Sequence, residues 1–386
     1  MIQTKKTDNI PQLRFPEFEG EWEKKKLGKV FKISAGGDIG SENVSELKND
    51  KFQYPIYANA EKNKGFYGYS NIYKIEENVV TVAGRGVNIG IAHARNHKFY
   101  PIVRLLVLKP ISNENIYFFE YQINNLNLLK ESTGVPQLTA PQISGYEIFY
   151  PTLPEQTKIA TFLTAVDEKL QALKKKKSLL QAYKKGVMQK LFSITAETHG
   201  RAYVRFKDED GKPFPKWEMR KLGEVCEIKK GEQLNKEDLT ETGSYPCLNG
   251  GINFSGYTEK FNSEENTITI SEGGNSCGYI NFMTSKFWLG GHCYKIVLPH
   301  KICIGYFYQL LKFNERRIMD LRVGSRLPNI QQKDLRNFEL EFCNSLEEQT
   351  HIANFLSSID KKINHAQTQI TQTQQWKKGL LQRMFV

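Results

Sequence analysis

The first 225 residues contain no cysteine; all six (Cys226, Cys247, Cys277, Cys293, Cys303, Cys343) lie in the second half of the 386-residue chain. None are spaced as CxxC, so neither a paired zinc knuckle nor a CxxC redox site is encoded. One half of the chain does without them, so reduced, mostly buried thiols are expected rather than a disulfide framework. Long apolar runs are missing too. None reaches the roughly 18–20 residues needed to cross a bilayer, and the opening MIQTKKTDNIPQ has no apolar signal core. A cytoplasmic protein with no membrane partner is expected. Acidic residues are in deficit, 42 Asp and Glu against 54 Lys and Arg, for a net charge of +12. That balance favours a polyanionic partner and says nothing about fold.

Signatures of chemistry are equally absent. There is no GxxxxGK[ST] phosphate loop, which argues against an ATP-driven motor. The segment AGRGVNIG (83–90) holds a GxG but lacks the spacing and βαβ context of a dinucleotide site. No Asn-Pro-Pro-aromatic or Asp-Pro-Pro-aromatic motif of adenine amino-methyltransferases occurs, no acidic cluster with a following Glu-x-Lys suggests a nuclease, and no Ser-His-Asp arrangement stands out. His93 and His97 are four apart, but their setting reads as strand and loop with no further ligand nearby. No metal site is expected.

What is present is an internal repeat. Residues 154–192 align without a gap onto 347–385, with about 15 of 39 pairs identical, far above chance for average composition. Glu155-Gln156-Thr157 matches Glu348-Gln349-Thr350, Asp167 matches Asp360, and Lys184-Lys185-Gly186 matches Lys377-Lys378-Gly379. A second repeat precedes each of these. Trp22, Leu27, Gly28, Val30 and Ile33 match Trp217, Leu222, Gly223, Val225 and Ile228, and Arg14-Phe15 resembles Arg205-Phe206. The middles keep only a skeleton: Tyr54-Pro55 with Tyr245-Pro246, Asn59 with Asn249, Gly90 with Gly278, and Pro136-Gln137 with Pro328-Asn329. The order is variable region, shared helix, variable region, shared helix, as a protein reading two different short sequences would require.

The shared segments have helical periodicity. Pro154 suits a first helical turn, and Glu155 falls at the positive end of the helix dipole. Leu163, Val166, Leu170, Leu173, Leu180, Val187 and Leu191 form a heptad-like seam; the second copy offers Leu356, Ile359, Ile363, Ala366, Ile370, Leu380 and Met384. Lys177, Lys184, Thr373 and Lys377 interrupt it. Two helices of about 38 residues, each roughly 55–57 Å long, are expected to pair antiparallel, through Leu163, Val166, Leu170 and Leu173 on one and Leu356, Ile359, Ile363 and Ile370 on the other. That arrangement brings the start of the chain near the end of the second helix. A helix pair that recruits an unrelated protein helix is the alternative.

The variable regions (17–150 and 205–343) mix β-type runs at 78–82, 102–108, 267–270 and 294–297 with helical patterns near 113–130 and 301–318. Each is expected to form an α/β globule with an irregular sheet. Their loops suit DNA: Arg pairs with guanine and Asn or Gln with adenine in the major groove, while Lys and backbone N–H groups hold phosphates. The candidates are Asn59, Lys62, Lys64, Arg85, Asn88, Arg95 and Gln137 in the first region. In the second they are Asn249, Asn275, Ser276, Arg322, Arg326 and Asn329.

Trp-(x)4-Leu-Gly-x-Val at 22–30 and 217–225 resembles the opening of a recognition domain of the specificity subunits of type I restriction-modification systems. Leu153-Pro154-Glu155-Gln156-Thr157 with Phe162-Leu163 and Val166-Asp167 resembles that family's shared-region motif. It recurs from Leu346, with Glu347 replacing Pro154, and Lys-Lys-Gly-(x)2-Gln-(x)2-Phe resembles the close of both helices. The resemblance covers essentially the whole chain. It implies an α+β fold: two pseudo-symmetric α/β target-recognition domains separated by two long antiparallel coiled-coil helices. The boundaries would be 1–152, 153–193, 194–345 and 346–386. It further implies a non-catalytic subunit that reads a bipartite, asymmetric site in double-stranded DNA. Two methyltransferase subunits and two restriction subunits would dock on it, the helices setting the spacer. No cofactor is implied for this chain; S-adenosylmethionine, ATP and Mg would belong to the partners. The competing readings are an enzyme with unfamiliar motifs, a structural coiled-coil adaptor, and the recognition part of a related single-complex methylating nuclease.

Overall fold

A computed structural model describes residues 9–60, 62–86, 88–126, 128, 137–192, 205–324 and 328–386. The chain divides into two compact units, one of residues 1–174 and 368–386, the other of residues 175–367. The cuts fall inside the two long helices, Leu153–Phe192 and Leu346–Met384.

Each unit is built on the same plan. In the first, an antiparallel four-stranded sheet runs in the order Phe31–Ala35, Leu106–Pro110, Val79–Val82, Ala92–Arg95. A second sheet orders Val44–Ser45, Phe66–Ser70, Tyr54–Tyr57 and Tyr100–Pro101, the last pair parallel. In the second unit the main sheet is Glu227–Lys230, Cys293–Val297, Thr267–Ser271, Ile280–Met283. The smaller sheet is Gly256–Thr258, Tyr245–Leu248, Trp288–Leu289, again closing on a parallel pair. A helix covers each main sheet, Ile116–Asn125 in one and the longer Ile304–Met319 in the other. The β-type runs expected at 78–82, 267–270 and 294–297 are strands. The run at 102–108 is corrected: a turn occupies Val103 and Arg104, and the strand begins at Leu106.

The shared Trp-(x)4-Leu-Gly opening is a structural joint. Glu23–Lys26 pairs antiparallel with Glu147–Tyr150, and Glu218–Lys221 pairs likewise with Glu339–Phe342. At the end of each strand Leu27 donates its N–H to Tyr146 (2.9 Å), and Leu222 donates to Phe338 (2.8 Å). The following glycine is required by close approach. A Cβ on Gly28 would stand 2.9 Å from Ser144 Cβ, and one on Gly223 would stand 3.0 Å from Arg336 Cβ.

The helix starts carry a second joint. Glu155 is buried and accepts hydrogen bonds from Arg14 Nε (2.7 Å), Arg14 Nη2 (2.8 Å) and Trp22 Nε1 (3.1 Å). Glu348, also buried, accepts from Arg205 Nε (3.0 Å), Arg205 Nη2 (2.6 Å) and Trp217 Nε1 (3.0 Å). The neighbouring glutamine closes the joint. Gln156 accepts from the Asn115 N–H and donates to Glu114; Gln349 accepts from the Cys303 N–H and donates to the Cys343 carbonyl. The helix dipole thus explains only part of why glutamate stands there. The larger reason is a buried carboxylate satisfied by two matching donors.

The lysines that interrupt the hydrophobic seam are paired. In the first unit Lys377 Nζ lies 2.6 Å from Asp167 Oδ1; in the second, Lys184 Nζ lies 2.7 Å from Asp360 Oδ1. These are the same two repeat positions, used reciprocally. In the second unit Lys177 reaches Gln367 (2.6 Å) and Lys184 reaches Asp360, seven residues forward on one helix and seven back on the other. That is antiparallel pairing. In the first unit Ile159, Leu163 and Val166 share a core with Leu380, Met384 and Phe385, and the Leu13 N–H donates to the Arg383 carbonyl (2.8 Å). The residues expected to pair the helices are buried at Leu163, Val166, Leu170, Leu356, Ile359 and Ile370; Leu173 and Ile363 are half-buried. Among the described residues, no helix is long and apolar enough to cross a membrane.

Candidate nucleic-acid interface

In each unit, loops from both sheets converge at one place. In the first unit the loop after Val82 folds on itself: Gly90 donates to the Ala83 carbonyl (2.9 Å), and Leu138 donates to the Gly84 carbonyl (2.8 Å). In the second, Gly278 donates to Ser271 (2.8 Å) and Ile330 to Glu272 (2.9 Å). Gly90 and Gly278 both take positive φ, +88° and +86°, the backbone region that favours glycine. Arg85 bridges to Gln137 as Gly273 bridges to Asn329. The sparse skeleton shared by the variable middles is therefore the frame of this loop cluster.

Most candidates in the first unit meet here. Arg85 Nη2 donates to Gln137 Oε1 at 3.2 Å, while its buried Nε has no hydrogen-bond partner among the described residues. A buried donor without a partner is costly. Asn88 is half-buried in the same loop. Asn59 is spent on the frame: its Oδ1 accepts from the Gly84 N–H (2.9 Å), and its Nδ2 donates to the Val103 carbonyl. Lys64 is exposed and takes φ +54°. Lys62 begins the short turn Lys62–Gly65.

Arg95 is corrected. Only 3% of it is exposed, and its guanidinium donates to Thr81 Oγ1 (3.2 Å) and the Lys64 carbonyl and lies 3.6 Å above the Tyr57 ring. Burial pulls its pKa below the usual arginine value. It braces the two sheets of the first unit and is not available to a base. The two histidines are likewise separate: His93 meets Glu120 (3.4 Å), and His97 meets the Tyr57 hydroxyl (3.0 Å). Among the described residues, no group of three or more His, Cys, Asp or Glu is arranged to hold a metal ion.

In the second unit Asn275 is exposed at the loop tip, and Ser276 Oγ donates to the Gly250 carbonyl. Asn329 pairs by backbone with Val323 and Gly273, which sets exposed Arg322 beside the loop. Asn249, like Asn59, serves the frame, its Oδ1 accepting from the His292 N–H (3.1 Å). Arg326 lies outside the described residues.

Sequence reasoning missed two groups. Glu272, at the position of Gly84, is buried and accepts from Lys230 Nζ (2.7 Å) and Tyr294 OH (2.8 Å), with His292 Nδ1 at 4.0 Å from its other oxygen. Burial and this hydrogen bond hold the Tyr294 phenol well above its ordinary pKa. The second group is the Val103–Arg104 turn, which carries no Gly, Asn or Pro to announce it. The cysteines are free, five buried and Cys303 half-buried; burial pushes Cys226 up to about 12 and Cys293 up to about 11.

Comparison with known proteins places this architecture. The model for the type I restriction modification DNA specificity domain matches residues 19–182 and again 215–373. A Mycoplasma pneumoniae protein assigned as a type I specificity subunit is 39% identical over 151 residues, 39% of this chain and 40% of that protein. The chain spans about two-fifths of the length of that relative and of a similar one from Mycoplasma genitalium. A Methanocaldococcus jannaschii protein assigned as the MjaX specificity subunit is 23% identical over 99% of this chain and 96% of its own length. The crystal structure of a type I restriction-modification S subunit from M. genitalium superposes with a TM-score of 0.73 at 19% identity, covering 98% of this chain and 99% of that one; that likeness establishes the fold. With one family model matching twice, over most of its length, the chain belongs to the family of type I restriction modification DNA specificity domains and carries two of them.

Proposed function

We propose that this chain is the non-catalytic DNA-recognition subunit of a type I restriction-modification complex. Each unit reads one half of a bipartite, asymmetric site in double-stranded DNA. The observation that carries this reading is one repeated loop frame furnished differently in the two units. Arg85 and Gln137 occupy it in the first; Gly273 and Asn329 take those positions in the second, with Glu272 in place of Gly84. A duplicated frame with divergent polar tips suits two different half-sites, and the net charge of +12 suits a polyanion. The loops of Asn59, Lys62, Lys64, Arg85, Asn88 and Gln137 serve the first half-site. Asn249, Asn275, Ser276, Arg322, Arg326 and Asn329 serve the second, with Asn59 and Asn249 acting through the frame.

The long helices set the spacer and dock two methyltransferase subunits, and two restriction subunits join the complex. Tyr183 and Trp376, equivalent in the repeat and both exposed, offer matched aromatic contacts. S-adenosylmethionine, ATP and Mg belong to those partners, and the complex works in the cytoplasm.

The test is co-expression with the cognate methyltransferase subunit in a methylation-free host, followed by genome-wide mapping of N6-methyladenine. A split asymmetric motif that disappears when this chain is omitted is the expected result. Replacing residues 17–150 by another such domain should change one half-site only. Co-purification of the two chains without any motif would overturn the reading in favour of an adaptor.

A further inference from the structure

The turn Ile102–Leu105 is closed by the Leu105 N–H donating to the Ile102 carbonyl (3.1 Å), and its two central residues both have positive φ, Val103 at +52° and Arg104 at +57°. This is the turn geometry that selects Asn-Gly, and a β-branched residue there is a genuine outlier. The fold does not demand it. The second unit closes the same turn, Cys293 donating to Gly290 (3.1 Å), over Gly291 and His292, and neither takes positive φ. The strained backbone is thus kept where the side chains are large and dropped where a glycine could have borne it. Strain of this kind persists only where surrounding contacts impose it, and it concentrates at functional sites.

Those contacts are present. Val103 donates to the Gly37 carbonyl (3.1 Å), Ile102 donates to the Tyr57 carbonyl (2.9 Å), and the Val103 carbonyl accepts from Asn59 Nδ2. Asn59 also holds Gly84, so one side chain ties the turn to the Arg85 loop. The fit is close: a Cβ on Gly84 would stand 3.0 Å from both the Arg104 and Leu138 carbonyl oxygens. The turn, the Arg85 loop and the Gln137 segment therefore meet within the width of one residue. What this machinery presents outward is Val103, 48% exposed, and Arg104, also exposed. Arg104 makes no side-chain hydrogen bond or ion pair among the described residues.

We propose that Arg104 is a specificity-determining residue of the first unit, reading a guanine in the major groove. The inference rests on the function proposed above and deepens it. A phosphate contact needs only a positive charge, which a lysine on a mobile stem supplies. A planar guanidinium on a braced turn beside other polar loop tips matches the paired O6 and N7 acceptors of guanine. The second unit supports the assignment by contrast. At the same step it holds His292 against buried Glu272, a different set of donors for a different half-site.

The test uses the full chain in complex with its methyltransferase subunit. The wild-type motif is mapped, and the half-site of the first unit is identified by exchanging residues 17–150. Arg104→Ala is then titrated against duplexes carrying each base in turn at every position of that half-site. The expected result is loss of about tenfold or more discrimination at one guanine, with the other half-site unchanged. Three outcomes overturn the proposal: no guanine in that half-site, unchanged discrimination in Arg104→Ala, or uniform weakening on all duplexes with a shallower salt dependence, which marks a phosphate contact. If the wild-type complex has no chain-dependent motif, the function proposed above fails instead, whatever Arg104→Ala does.

Discussion

The two units solve one packing problem in opposite ways. Beneath the loop cluster of the first, Arg95 is buried on Thr81 and the face of Tyr57. At the equivalent place in the second stand Met283, Thr269 and Leu248, and Met283 and Leu248 belong to an apolar cluster with Phe287, Leu289 and Cys293. Thr81 has a partner; Thr269 Oγ1 is buried without one among the described residues. The frame accepts either a satisfied buried cation or a methionine, because what matters first is that the volume is filled. The second unit has the threonine without the arginine. The comparison teaches that the joints of the repeat are held fixed while the space under the reading loops is free to change chemistry.

The strongest test targets what the units share. Glu155→Ala takes the carboxylate from Arg14 and Trp22 Nε1, leaving Arg14 the Gly20 and Glu19 carbonyls, and Glu348→Ala takes it from Arg205 and Trp217, leaving Arg205 the Pro215 carbonyl. Each should cost about 3–5 kcal/mol, seen in urea unfolding followed unit by unit through hydrogen exchange. A loss in one unit and none in the other would break the equivalence of the joints.

Arg95→Ala comes next, removing the buried donors and the contact with Tyr57 at a cost of about 2–3 kcal/mol. Arg95→Met, which copies the second unit, should recover most of that loss. If methionine is no better than alanine, the two solutions are not interchangeable. A sharper contrast follows from the threonines. Thr269→Val should stabilise the second unit by about 1 kcal/mol, since it deletes an unpaired buried hydroxyl, whereas Thr81→Val should destabilise the first by about 1–2 kcal/mol. Equal signs in exchange protection of Val79–Val82 and Thr267–Ser271 would refute the comparison.

The smallest effect concerns pH. Burial, reinforced by Arg95, lowers the pKa of His97 below its ordinary value, and the equivalent position holds Ser285. The native first unit therefore binds this proton less readily than the unfolded chain. The stability contributed by His97 is complete above about pH 6.5 and is lost as pH falls through the lowered native value. Stability measured between pH 7 and 5 should decline in the first unit, and His97→Asn should flatten that decline while leaving the second unit unchanged.

Much of the molecule was legible before folding. Arg14, Trp22 and Glu155 stood out in the sequence as repeat partners of Arg205, Trp217 and Glu348, but nothing in it joined them to one another. The seam lysines read as interruptions, since their partners lie on the other helix. Asn59 and Arg95 looked like contacts for DNA because loop polarity in sequence does not distinguish a side chain turned outward from one spent on the frame. The Val103–Arg104 turn was hidden inside an apolar run that reads as strand.

The sequence by itself determined that the chain is built twice, with two long amphipathic helices and two divergent middles. Helical period and matched spacing are local properties that need no knowledge of what packs where. Tertiary structure alone decided which polar side chains are buried and which are free. The partners of Arg95 come from residues 57, 64 and 81, and those that hold Val103 come from residues 37 and 59. A side chain's solvation depends on contacts distant in sequence, which only the folded chain brings together.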